Sequence, residues 1–208
     1  MLWVGGISVV FALLVASAPL WLRARTKGPQ TEATSNIKQV HLALLDFAAD
    51  YGRFPDASTI ADVQSNTHTT LALGTSTSND FFRQLIAADI AKVERIFWAK
   101  TPATPRPPNC ILGADALKKG ECSFAYVAGL SASSNSATPI VMTPMIPGTD
   151  QFDTEAFGDK AIVLRIDGSA KPETIRTDNH KVAVPGGTLF DSSLPLWHGK
   201  TPDIKWPE

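Results

Sequence analysis

The stretch Asn36-Ile37-Lys38-Gln39-Val40-His41-Leu42-Ala43-Leu44-Leu45-Asp46-Phe47-Ala48-Ala49-Asp50-Tyr51-Gly52-Arg53-Phe54-Pro55 decides how this chain is built. Ile37, Val40, Leu44, Phe47 and Tyr51 recur at spacings of three, four, three and four. That rhythm puts them on one stripe of an α-helix, with Lys38, Gln39, Asp46 and Asp50 off it. It is the clearest periodicity in the sequence and predicts a helix packed by that stripe. Gly52 follows as a C-terminal stop and Pro55 lies just beyond, so the helix is expected to end near Tyr51.

Upstream, Gly28-Pro29 predicts an interruption, because proline lacks an amide proton and clashes with the preceding turn. Before it, Leu2 to Leu22 carries no charge, and as a helix it would span about 31 Å, the thickness of a hydrocarbon core. Trp3 and Trp21 stand near its two ends, at headgroup level, and Arg23, Arg25 and Lys27 close it. The expectation is a transmembrane anchor over residues 1–25 and one domain over 26–208. Ala16-Ser17-Ala18 also fits a signal-peptide cleavage site. The length of the apolar run, the lack of a basic stretch before it and Pro19 just after the cut favour retention. The basic residues would place the main body inside the cell by the positive-inside rule.

The only two cysteines, Cys110 and Cys122, argue the other way. A bridge across the loop-like stretch between them is geometrically feasible and suits an oxidising compartment. Closing that ring would add about 3 kcal/mol in the chain-entropy model. Two free buried thiols are the other reading of the same spacing.

Downstream, Asn66 to Asn79 is rich in threonine and serine and reads as an exposed loop. Ser78 or Asn79 is expected to cap a short helix through Phe82, Leu85 and Ile86. Thr101 to Asn109 carries four prolines and can be neither helix nor central strand. The pattern then changes to strand-length apolar runs at Phe124–Val127, Pro139–Met142 and Ala161–Ile166. Asp167-Gly168 is a hairpin turn signal leading to a further strand at Glu173–Arg176. Helices first and strands afterwards indicate an α+β domain with a small antiparallel sheet. Phe190, Trp197 and Trp206 give the C-terminal stretch an aromatic content that predicts packing along the domain, with a contact strip for a neighbour as the alternative.

The chain has 208 residues, 44% hydrophobic, with 19 Lys and Arg against 20 Asp and Glu. That is ample for one core, and the balanced charge gives no positive field to draw nucleic acid.

Asn36-Ile37-Lys38-Gln39, Leu42-Ala43-Leu44, Phe47 and Asp50-Tyr51-Gly52-Arg53-Phe54-Pro55 together resemble the end of the long helix in type IV pilin-like and type II secretion pseudopilin-like proteins. Val163-Leu164-Arg165-Ile166-Asp167-Gly168-Ser169 is similar to the strand-and-turn element of many bacterial pilin-like sequences. The resemblance implies an N-terminal membrane helix and an amphipathic helix packed on an antiparallel sheet. It also implies that Gly52, Phe54 and Pro55 form the turn from helix to sheet. The family's basic leader and early glutamate are not matched, since the first acid is Glu32, so the expectation is a diverged member.

Chemistry-bearing groups are sparse. His41, His68, His180 and His198 lie far apart, none in a metal-ligand spacing, and His41 beside the apolar stripe reads as packing. Gly129-Leu130-Ser131-Ala132-Ser133 lacks the second glycine of a nucleophile elbow. Asp150, Asp153, Glu155 and Asp159 form the densest acid cluster. Major pseudopilins hold calcium on C-terminal loop oxygens, but this spacing does not follow the EF-hand pattern, and a solvated acidic loop is the preferred reading. No cofactor and no catalysis are expected. The function expected is that of a structural or interaction protein of the bacterial cell envelope, anchored in the membrane with its domain in the periplasm or at the cell surface. Its partners would be copies of itself or pilus or secretion-system components. The alternative is an anchored binding module that recognises a ligand or host surface through Asn66–Asn79 and Ser131–Ser136.

Overall fold

The computed structural model describes the backbone of residues 2–208 and the side chains of residues 27–208. The side chains of the apolar segment expected to span the membrane lie outside the described residues. Among the described residues, no helix is long and apolar enough to cross a membrane.

Helix α1 runs Leu2–Tyr51 and passes through Gly28 and Pro29 without a break, which corrects the expected interruption. A proline inside a helix costs about 3 kcal/mol. Ile37, Val40, Leu44 and Phe47 are fully buried on the stripe, and each such side chain returns about 1.5–3 kcal/mol on burial. Packing therefore outweighs the local defect. Half-buried Tyr51 stacks on Phe47 with ring centroids 4.4 Å apart. The helix stops where Gly52 takes φ 78° and donates its N–H to the Ala48 carbonyl at 2.9 Å. Phe54 and Pro55 are buried behind it, and the Pro55 carbonyl accepts the buried Tyr126 hydroxyl at 2.8 Å. The turn is thereby tied to the sheet.

Two shorter helices follow, α2 (Ile60–Thr67) and α3 (Ser78–Ala87). The cap of α3 is Thr77, not Ser78 or Asn79. Thr77 is extended, its side chain accepts the Asp80 N–H, and the Asp80 carboxylate accepts the Thr77 N–H, a reciprocal capping box. Ser78 and Asn79 are buried in the first turn, where the Asn79 amide donates to the Leu117 and Lys118 carbonyls. The stretch Asn66–Asn79 is thus only partly an exposed loop, with Leu71 also buried.

The sheet has strands β1 (Ala125–Ala128), β2 (Pro139–Thr143), β3 (Lys160–Arg165) and β4 (Ala170–Thr174), in spatial order β4-β3-β2-β1 with antiparallel pairing throughout. The ribbon β5 (Ala183–Val184) and β6 (Gly187–Thr188) stands apart. A last strand, β7 (Asp203–Lys205), pairs antiparallel with β1 as the fifth strand at that edge. The architecture is α+β.

Side chains alternate across the sheet as the pleat requires. Tyr126, Val141, Ile162 and Leu164 join the α1 stripe, Phe81 and Phe82 in one core. Val127, Met142 and Val163 join Phe152, Phe190, Trp197 and Ile204 in another on the opposite face. Both faces are covered, so the strands read as unbroken apolar runs. The C-terminal aromatics belong to that second layer. The Trp197 indole donates to the Leu189 carbonyl at 2.9 Å, and the Trp206 indole to the Thr149 carbonyl at 2.9 Å.

The β3–β4 hairpin closes through Ile166, Asp167 and Gly168, with the Arg165 N–H bonded to the Ser169 carbonyl at 3.0 Å and Gly168 at φ 79°. Helix α1 reaches this turn: His41 Nε2 lies 3.1 Å from the Ile166 carbonyl oxygen. A Cβ on Gly168 would stand 2.8 Å from the His41 ring. Gly168→Ala is expected to cost about 2–5 kcal/mol, the left-handed backbone and the clash adding. A double-mutant cycle checks this: His41→Ala in the Gly168→Ala background should recover the steric part.

Candidate functional site

Among the described residues a cleft of about 510 Å³ opens between the end of β1, the Ser133–Asn135 loop and the segment Leu196–Asp203. Its walls mix apolar Val127, Leu130 and Leu196 with polar Ser133, His198 and Lys200. The serines are turned on one another: Ser131 Oγ lies 2.9 Å from Ser133 Oγ, and the Ser131 N–H donates to Ser134 Oγ at 3.0 Å. Among the described residues none of these hydroxyls is hydrogen-bonded to a histidine. The loop is a polar rim with an apolar floor.

The four histidines are not brought together. His68, His180 and His198 each hold a positive φ, at 51°, 56° and 51°. Histidine is among the residues that tolerate that left-handed conformation; His68 uses it to end α2, and His180 and His198 use it in the loops after β4 and before β7. His41 serves the contact between helix and hairpin described above.

The expected disulfide is corrected: Cys110 and Cys122 are both free. Cys122 is buried, its Sγ 3.5 Å from the Phe124 carbonyl and 3.8 Å from Ser78 Oγ. Cys110 is half-exposed and its Sγ lies 3.8 Å from the Leu112 carbonyl. Burial pushes the Cys122 thiol up to about 12, against weaker opposing bonds from Phe124 and Ser78. At about pH 8 Cys110 is expected to react with a maleimide in the native protein and Cys122 only after denaturation, because the thiolate is the reactive form. Mass spectrometry of the labelled chain checks this; two thiols released only by reductant would restore the bridge.

What organises the cysteine loop is a residue that sequence reasoning missed. Glu94 is fully buried. Its carboxylate accepts the backbone N–H of Leu117 and that of Cys110, the latter at 2.7 Å, while its own N–H donates to Asn109 Oδ1 at 2.8 Å. Loss of hydration raises the Glu94 carboxyl above the usual carboxylate range, although these amides favour the ionised form. One carboxylate thus replaces a covalent bridge in pinning residues 109–117. No spacing rule marks it, since its partners are amides rather than side chains.

The acid cluster does not converge. Asp150 pairs with Lys181 at 2.6 Å, and Asp153 Oδ1 accepts the Glu155 N–H at 2.8 Å. Among the described residues no group of three or more His, Cys, Asp or Glu is placed to hold a metal ion. Glu155 and Asp159 are exposed.

The outward ridge of α1 carries apolar side chains, with Leu42 62% and Leu45 38% exposed. Beside it, Gln39, Val93, Arg95 and Ile96 line an open groove. Comparisons with protein-family models, curated proteins and solved structures found no match.

Proposed function

We propose that this chain is a pilin-like or pseudopilin-like structural subunit of the bacterial cell envelope, and that catalysis is no part of its role. The observation that carries the proposal is the docking of the α1 stripe on an antiparallel sheet, with the Gly52–Pro55 turn held to β1 through the Tyr126 hydroxyl. Domains of this design present one long helix as a rigid post, on which copies stack and from which an apolar extension enters a membrane. The uncharged run Leu2 to Leu22 supplies that extension. The apolar residues left on the outward ridge of α1 supply a surface for association.

Chemical cross-linking in intact cells tests this. A ladder of homo-oligomers is the expected result. A monomer under all conditions would overturn it and favour the second reading, an anchored binding module, to which the cleft beside Ser133 and His198 lends support.

A further inference from the structure

The run Thr104-Pro105-Arg106-Pro107-Pro108 has its backbone set by covalent structure before any packing. The rings hold φ at about −65° at Pro105, Pro107 and Pro108. Thr104, Arg106 and Pro107 each precede a proline, which pushes their ψ into the extended range. Together these constraints favour a left-handed polyproline-II helix with three residues per turn. Residues 105–109 belong to no helix or strand, and Asn109 ends the run by turning to φ 67°. The fold fastens both ends. At one, the indole of the buried Trp98 donates to the Thr104 carbonyl at 3.1 Å. At the other, Asn109 Oδ1 accepts the Glu94 N–H at 2.8 Å, and the Glu94 carboxylate accepts the Cys110 N–H at 2.7 Å. The segment from Thr104 to Pro108 is about 12 Å long at the polyproline-II rise. Pro107 is buried against the domain, whereas Pro105 and Pro108, one turn apart and so on one edge, are exposed, as is Arg106. Among the described residues the carbonyls of Pro105, Arg106 and Pro108 accept no hydrogen bond from the chain.

We infer that Thr104–Pro108 is a preformed polyproline-II ligand for a partner domain whose groove is lined by aromatic rings and edged by carboxylates. Two exposed proline rings one turn apart fit between aromatic side chains, and the free carbonyls accept bonds from the indole or phenol donors that such a groove offers. The carboxylates follow from the flank of the loop. Lys100 and Arg106 line the open groove between the loop and α1, where the other charged groups are Arg95 and Glu32, paired with each other at 2.9 Å. Neither Lys100 nor Arg106 has an ion pair among the described residues, so this flank is cationic. Opposite charge on the partner's rim would fix the orientation of the ligand. Because both ends are fastened, little ordering is left to binding. The contact draws on no residue of the α1 stripe and does not depend on the assembly proposed above.

The experiment titrates the full-length chain, kept in detergent, against an array of purified SH3 and WW domains, which carry grooves of this kind. At least one domain is expected to bind. The double variant Pro105→Ala/Pro108→Ala should weaken that binding about tenfold, as loss of two anchoring side chains does. Pro102→Ala, in the turn before the segment, should leave it within about twofold. Arg106→Glu should weaken it and flatten its salt dependence. All four positions are exposed, and equal urea midpoints verify that each variant keeps the fold; Arg106→Glu carries the comparison if the double variant fails that check. The inference is overturned if no domain binds more tightly than about 1 mM. It is overturned equally by binding that the double variant leaves intact, or that Pro102→Ala weakens as much as the double variant does.

Discussion

Phe47→Ala is expected to destabilise the domain by about 3–5 kcal/mol, the range for truncating a buried aromatic. Phe47 is fully buried near the C-terminal end of the α1 stripe and stacked on Tyr51 at 4.4 Å. Its removal leaves a cavity in the core that α1 shares with α3 and the sheet. Leu42→Ala, on the outward ridge of the same helix, is expected to change stability by less than about 0.5 kcal/mol. Equilibrium urea denaturation followed by tryptophan fluorescence checks the pair. Equal effects at the two positions would mean that α1 does not dock by the stripe described.

The second large effect is at Glu94. Glu94→Ala should cost about 3–5 kcal/mol, since it strands the buried Leu117 N–H and the half-buried Cys110 N–H and opens a cavity. Glu94→Gln keeps the volume but turns a donor toward one of those amides, and is expected to cost about 1–3 kcal/mol. Proteolysis between residues 109 and 117 should accelerate in both. The pH dependence has a definite sign. The folded carboxyl is raised, by burial first, so the native state binds the proton more tightly than the unfolded chain. The site's contribution is therefore greatest below the ordinary carboxylate range. It declines as pH rises from there through the raised value, and is flat above. Glu94→Gln lacks this titration, so the advantage of the wild type over it should shrink with rising pH across that window. An advantage that grows with pH would contradict the assignment.

The helix and three strands were legible because they rest on patterns of side-chain spacing, whereas the strand expected at Glu173–Arg176 runs Ala170–Thr174, directly after the hairpin turn. Ile37 to Tyr51 forms one stripe, and the runs around Tyr126, Val141 and Val163 are strand-length with turn residues at their ends. Gly52 and Gly168 were legible because both positions need a positive φ. Pro29 misled, since its local penalty is overruled by the packing that follows. Thr77 was missed as a cap because Ser78 and Asn79 are equally good caps in isolation, and only the reciprocal bond from Asp80 selects among them. Strand β7 was hidden by the prolines around it: only three residues pair, between Pro202 and Pro207. Spacing alone left Cys110 and Cys122 open to bridging, and both are free in the fold. Glu94 was invisible because its partners are backbone amides brought in from residues 110 and 117.

We propose that an apolar helix holds this domain to a membrane as a pilin-like subunit. N-terminal sequencing of the mature protein from fractionated cells tests it most directly. The account predicts a membrane-fraction protein whose N-terminus retains the apolar run Leu2 to Leu22. An N-terminus immediately after Ala18, on a protein recovered in the soluble fraction, would contradict it.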